Sequence, residues 1–127
     1  MNKALVLDSG ALIAVERRSV RIQQLLVAAR ARDASVVIPA PVVAQVVREG
    51  GRQANLRRFL ADSALRFESL DYAAALEIGA LLGRSGTADV VDACVAICAQ
   101  HLGHCPVVTS DPGDLRKLDP TLPLIVV

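Results

Sequence analysis

Five aspartates stand where an α/β chain could bring acids together. Asp8 ends the apolar run KALVL at 3–7, Asp111 ends PVVTS at 106–110, and Asp114 follows three residues later. Asp89 and Asp92 lie three apart in TADVVDACVAICAQH, a spacing that puts them on one helix face. Each of Asp8, Asp89 and Asp111 also fits a helix cap or a turn. Their joint placement is what points to chemistry, because the contexts of Asp8, Asp92 and Asp111 (VLD, VVDACVA and VVTSD) are apolar up to the acid. Converging carboxylates repel, and some take up protons unless a cation compensates. Hard oxygen donors suit Mg²⁺ or Mn²⁺, which polarise a phosphoryl oxygen and lower the pKa of an attacking water. The chemistry expected of such a cluster is metal-dependent hydrolysis of a phosphodiester.

The elements that must position these acids alternate in type. Apolar or alternating runs predict strands at 3–7, 36–39, 66–70, 106–110 and 122–127, the last near a sheet edge because of Pro123. Between them, helical spacing predicts helices over ALIAVERR, 20–32, 41–49, 52–63, 72–84, 88–101 and a short one at 111–118. Ser9, Asp71 and Thr87 are the expected N-caps. Pro41 is expected to open the 41–49 helix, and Gly50-Gly51 to stop it. Segment 83–87, GRSGT, reads as a loop. Strands alternating with helices imply parallel βαβ units and an open α/β sandwich in one domain, 1–127. In such sheets ligands bind beyond the carboxyl ends of the strands, where Asp8 and Asp111 stand.

With 53% hydrophobic and 21% charged residues over 127 positions, a disordered tail is excluded. Aromatics at 2% argue against an aromatic platform for stacking bases. The net charge of +1 conceals an asymmetry. Residues 1–60 carry ten basic groups against four acids, and 61–127 carry four against nine. A polyanion suits the first part and a cation the second. Arg17, Arg48 and Arg52, within clusters that include Arg18, Arg21, Arg57 and Arg58, are the candidates to hold RNA phosphates by the guanidinium fork, or an acidic protein segment in the same groove. Ser9 and Thr109-Ser110 adjoin the proposed carboxylates and could orient a water or a ligand. Three cysteines, none before Cys94, form no disulfide framework and point to a reducing compartment. Cys94, Cys98, His101, His104 and Cys105 lack the short paired spacing of a zinc knuckle, and the cysteines sit among apolar neighbours as small hydrophobes do. The first residues fail as a signal peptide because Asp8 interrupts them, and no apolar run reaches bilayer length. The expected location is cytoplasmic, with no membrane partner.

LVLDSGALIAV, VIPAPVVAQVVR, TADVVDACVAICA and VVTSDPGDL, in this order, resemble the PIN-domain nucleases, above all the VapC-type toxins of toxin–antitoxin pairs. The resemblance spans nearly the whole chain. It implies a PIN-like α/β/α sandwich with a mostly parallel central sheet, Mg²⁺- or Mn²⁺-dependent endoribonuclease activity, a homodimer and a cognate antitoxin. It assigns Asp8, Asp92 and Asp111 as catalytic metal ligands, with Asp89 and Asp114 as accessory acids. One position departs from the family pattern, which has an acid in the helix after the second strand. Here that residue is Gln45, whose carbonyl can ligate a metal or hold a water but adds no charge. Glu49, one helical turn on, would substitute only if the helix end bent inward. The departure opens a second reading: a weakened PIN domain that serves as a binding module for an antitoxin or RNA. A receiver-like phosphoacceptor domain also places Asp after a strand, but the central phosphoacceptor strand with a downstream Lys that it requires is lacking.

Overall fold

A computed structural model describes residues 3–127. Five strands, β1 (Ala4–Leu7), β2 (Ser35–Pro39), β3 (Arg66–Glu68), β4 (Val107–Thr109) and β5 (Leu124–Val126), form one sheet in the order β3-β2-β1-β4-β5. Every pairing is parallel, so the sheet is wholly rather than mostly parallel. Seven helices complete the α/β fold: α1 (Ser9–Glu16), α2 (Val20–Ala31), α3 (Ala40–Val46), α4 (Ala54–Leu60), α5 (Tyr72–Ser85), α6 (Val90–His101) and α7 (Pro112–Leu118). A 3₁₀ turn, Gly51–Gln53, precedes α4.

Strands covered by helices on both faces need continuous apolar runs, and β1 supplies one in Leu5, Val6 and Leu7, all essentially inaccessible. Val37, Ile38, Val107 and Val108 continue the same core on either side. The most deeply set helix is α6, buried from Ala93 to Ile97, which packs on β1, β2 and β4 and against α3, α5 and α7. Its small residues, Ala93, Ala96 and Ala99, let it lie close to the sheet. Strand β5 is one of the two sheet edges, and Pro123 precedes it.

Competing hydrogen bonds account for the boundaries that differ from expectation. Helix α3 ends at Val46 instead of running to Glu49. The Gln53 side chain donates to the Val46 carbonyl at 2.9 Å and accepts from the Arg48 amide at 2.8 Å, so the chain turns before the glycines are reached. The basic segment 52–63 therefore begins as the 3₁₀ turn and becomes α4 only at Ala54. Helix α5 runs through Ser85 and stops at Gly86, whose φ of 69° lets its amide reach the Leu82 carbonyl. Asp71 caps α5 as expected, accepting from the Ala74 amide at 2.8 Å. Ser9 and Thr87 do not act as caps: Asp8 accepts from the Ala11 amide and Asp89 from the Asp92 amide, each at 2.9 Å. Thr87 instead shares a 2.8 Å hydrogen bond with Ser85.

Candidate active site

The strand order reverses direction at β1, whose two neighbours are β2 and β4. Helical connections leave a crevice at the carboxyl edge of such a switch point. Asp8 and Asp111 stand on either side of it. The Asp8 amide donates to the Val108 carbonyl at 3.1 Å, locking the end of β1 to β4. Thr109, fully buried, receives the Asp111 amide on its Oγ1 at 3.0 Å and hydrogen-bonds to the Asp8 carboxylate. One hydroxyl thus couples the two acids. The N-termini of α6 and α7 bring the others. Asp89 caps α6, Asp92 lies in its first turn, and Asp114 lies in the first turn of α7. Asp89, Asp92 and Asp114 line one small pocket with Thr87, Ala88, Lys117 and Leu118.

The electrostatics tie the five acids together. Burial, followed by the charges of Asp89, Asp114, Asp8 and Asp111, pushes the Asp92 carboxyl up to about 6. Burial also raises Asp8, against opposing hydrogen bonds from Thr109 and the Ala11 and Gly10 amides. None of the five forms an ion pair with Lys, Arg or His among the described residues. Asp8 and Asp89 each spend one oxygen on a helix amide, whereas Asp111 occupies the cap position of α7 without a capping bond. A divalent hard cation fits this donor set: the ligands are carboxylate oxygens, and their mutual repulsion is otherwise relieved only by protonation. Among the described residues no three His, Cys, Asp or Glu side chains close tightly enough to cage an ion unaided. An ion held here would need oxygens from water or substrate as well, an arrangement Mg²⁺ favours.

Gln45 lies on the other flank. Its Oε1 accepts a short hydrogen bond from Ser9 Oγ, so the residue next to Asp8 fixes the Gln45 amide. Ser9 and Gln45 line an open groove with Ile13, Glu16, Arg17 and Arg48. The groove adjoins a second one through Glu16 and Arg48, where Glu49, Arg52 and Gln53 lie. Arg17, Arg48 and Arg52 therefore line two neighbouring grooves. Arg48 Nη1 donates to the Ala44 and Val47 carbonyls at 3.2 and 2.9 Å, and Arg57 donates to the Arg48 carbonyl at 2.6 Å. Glu49 is exposed beyond the helix end. The one-turn relation that would carry it to the face of Gln45 does not exist.

Sequence reasoning missed Gly10. A Cβ there would lie 1.9 Å from Ser110 Oγ and 2.9 Å from the Ser110 amide nitrogen, so only glycine lets the start of α1 approach the turn that carries Asp111. The only local signal was a glycine inside a helix start. Cys94 and Cys98 line a separate pocket with Glu68, Ile78, Ile97 and His101, and burial, followed by the Glu68 charge, pushes the Cys98 thiol up to about 12. His101 Nε2 hydrogen-bonds to the Glu77 carboxylate on α5 at 2.8 Å.

The profile of the PIN domain family matches residues 5–119. No curated protein sequence matches. Among solved structures, VapBC2 from Rickettsia felis, bound to a DNA fragment from its promoter, has a similar chain. The TM-score is 0.74 at 18% identity, with 98% of each chain covered. FitAB bound to an IR36 DNA fragment superposes at a TM-score of 0.70 and 18% identity, covering 96% of this chain and 94% of that one. FitAcB from Neisseria gonorrhoeae gives 0.63 at 20% identity, covering 95% and 96%. At these identities the likeness is one of fold.

Proposed function

Because the chain belongs to the PIN-domain family, we propose that it is a divalent-metal-dependent endoribonuclease, acting in the cytoplasm as the toxin of a toxin–antitoxin pair. The observation that carries this reading is the mutual charge of Asp8, Asp89, Asp92, Asp111 and Asp114 at the carboxyl edge of the sheet, felt most strongly by Asp92. Asp8, Asp92 and Asp111 would hold Mg²⁺ or Mn²⁺, with Asp89 and Asp114 as accessory acids. When bound, the ion supplies Lewis-acid polarisation of a phosphoryl oxygen and a water of lowered pKa. The chain's own part is positioning. Thr109 and the Ala11 amide hold Asp8, and Asp89 anchors the first turn that carries Asp92. The Arg17, Arg48 and Arg52 grooves would bind the RNA backbone beside the acids.

An antitoxin partner is supported by fold likeness to chains from VapBC2 and FitAB, each of whose structures is bound to a DNA fragment. A homodimer completes the proposed assembly, with exposed Leu70, Tyr72 and Leu76 at the start of α5 as available apolar surface. Gln45 favours a second reading, in which the domain binds RNA or an antitoxin but cleaves weakly. It would contribute no charge to the cation.

Asp8→Asn tests the first reading. An asparagine can still accept from the Ala11 amide, so the α1 cap and the fold are kept. Cleavage of RNA in Mn²⁺ is expected to fall about 10³-fold with an unchanged circular dichroism spectrum. Undiminished cleavage by a folded variant rules out Asp8 as a metal ligand. Wild-type chain that binds RNA in EDTA and never cleaves supports the module.

A further inference from the structure

We propose that Gln45 is a phosphate-binding residue, not a metal ligand: its amide N–H groups donate to a backbone phosphate of the RNA as the strand passes from the Arg17–Arg48 groove to the aspartates. The proposal rests on the nuclease reading for its substrate, and its own support is separate. A glutamine side chain offers one carbonyl oxygen and two N–H donors. Ser9 Oγ already donates to that oxygen, whereas Nε2 makes no hydrogen bond among the described residues, and the side chain is exposed. What Gln45 presents to a ligand is therefore a donor pair, the requirement of an anion.

Its surroundings agree. The groove it lines holds two guanidinium groups, Arg17 and Arg48, against one carboxylate, Glu16. The Arg17 guanidinium has no hydrogen bond or ion pair among the described residues, and the Arg48 guanidinium uses only Nη1, on the carbonyls ending α3. Asp89, Asp92 and Asp114 line a different pocket, and Ser9, the chain neighbour of Asp8, holds Gln45, so Gln45 stands at the border between a surface that attracts cations and one that attracts anions. A phosphodiester chain needs both, one phosphate at the cation and its neighbour on donors. An acid at position 45 would repel that neighbouring phosphate, and a glutamine fixed by Ser9 holds it. The same exchange leaves the cation to the aspartates alone.

The test compares wild type, Gln45→Ala, Gln45→Glu and Arg17→Ala in two measurements. The first is anisotropy of a short labelled RNA of mixed sequence in EDTA, and the second is Mn²⁺ titration by calorimetry without RNA. Gln45→Ala should weaken metal-free RNA binding about tenfold and leave Mn²⁺ affinity unchanged. Gln45→Glu should weaken RNA binding further while tightening Mn²⁺ or adding a second ion. Arg17→Ala should reduce the salt slope of RNA binding by about one, and Gln45→Ala, which removes no charge, should not change it. A tenfold loss of Mn²⁺ affinity in Gln45→Ala, with RNA binding intact, overturns the proposal, as does cleavage by wild type with no measurable RNA binding in EDTA. If wild type neither binds Mn²⁺ nor cleaves, the nuclease reading fails alone, provided RNA binding still depends on Gln45. If that dependence is absent too, both fail.

Discussion

Asp92 and Asp119 carry the same carboxyl group into opposite surroundings. Burial pulls Asp119 up, but hydrogen bonds outweigh it and hold this acid below its ordinary range. They come from the Thr121 hydroxyl at 2.6 Å, Gln100 at 2.7 Å and the Thr121 amide at 2.9 Å. Asp62 is held low in the same way by the Ala64 amide, with Arg30 beside it. Asp92 gains no such donors to its carboxylate, and burial with four neighbouring acids pushes it up to about 6. Acids that hold the fold together are saturated with donors. Acids at the carboxyl edge of the sheet are crowded with one another, a destabilising arrangement that a bound cation would relieve.

The comparison breaks most decisively at Asp92. Asp92→Asn should lower Mn²⁺-dependent cleavage about 10³-fold, read by single-turnover kinetics. The same variant should melt higher than wild type in the absence of metal above pH 6. A carboxyl whose folded-state value is raised contributes stability that is complete below its unfolded value, near 4, and is lost as pH rises through about 6. The two melting curves should therefore converge near pH 4 and separate by pH 7, and saturating Mn²⁺ should rescue only wild type. Curves that stay parallel across this window would mean that Asp92 feels no crowding.

Gly10 offers a smaller disruption at the same edge. Gly10→Ala must displace the Ser110 backbone next to Asp111, and a shift of about 1 Å at a reacting group costs roughly 10²-fold in rate. Wild-type rates in this variant would show that Asp111 tolerates movement. At the saturated acid the expectation inverts. Asp119→Ala should destabilise the fold by about 2 kcal/mol, measured by urea unfolding, because Gln100 and Thr121 lose their acceptor. Cleavage per folded molecule should not change. Loss of activity there would erase the distinction between the two kinds of acid.

Much of this was legible along the chain. The apolar runs that end at Asp8 and Asp111 announced both strands and their terminal acids, since a strand buried on both faces must be apolar throughout. The pairing of Asp89 with Asp92 followed from helical geometry, and the parallel sheet from the alternation of elements. The length of α3 was not legible, because Gln53 intercepts the Val46 carbonyl from seven residues away. The caps were displaced by one or two positions: Asp8 and Asp89, not Ser9 and Thr87, accept the first helix amides, from Ala11 and Asp92.

Residue types and short-range spacing by themselves determined which acids this protein could use, and that they would stand at strand and helix ends. Backbone preference and burial act over a few residues and leave their mark in sequence. Only the tertiary structure decided that Gln45 is fixed by a serine 36 positions earlier, that Glu49 falls outside α3, and that Gly10 must yield space to Ser110. Those outcomes depend on which distant groups packing brings within hydrogen-bonding or van der Waals distance, and no local pattern encodes that.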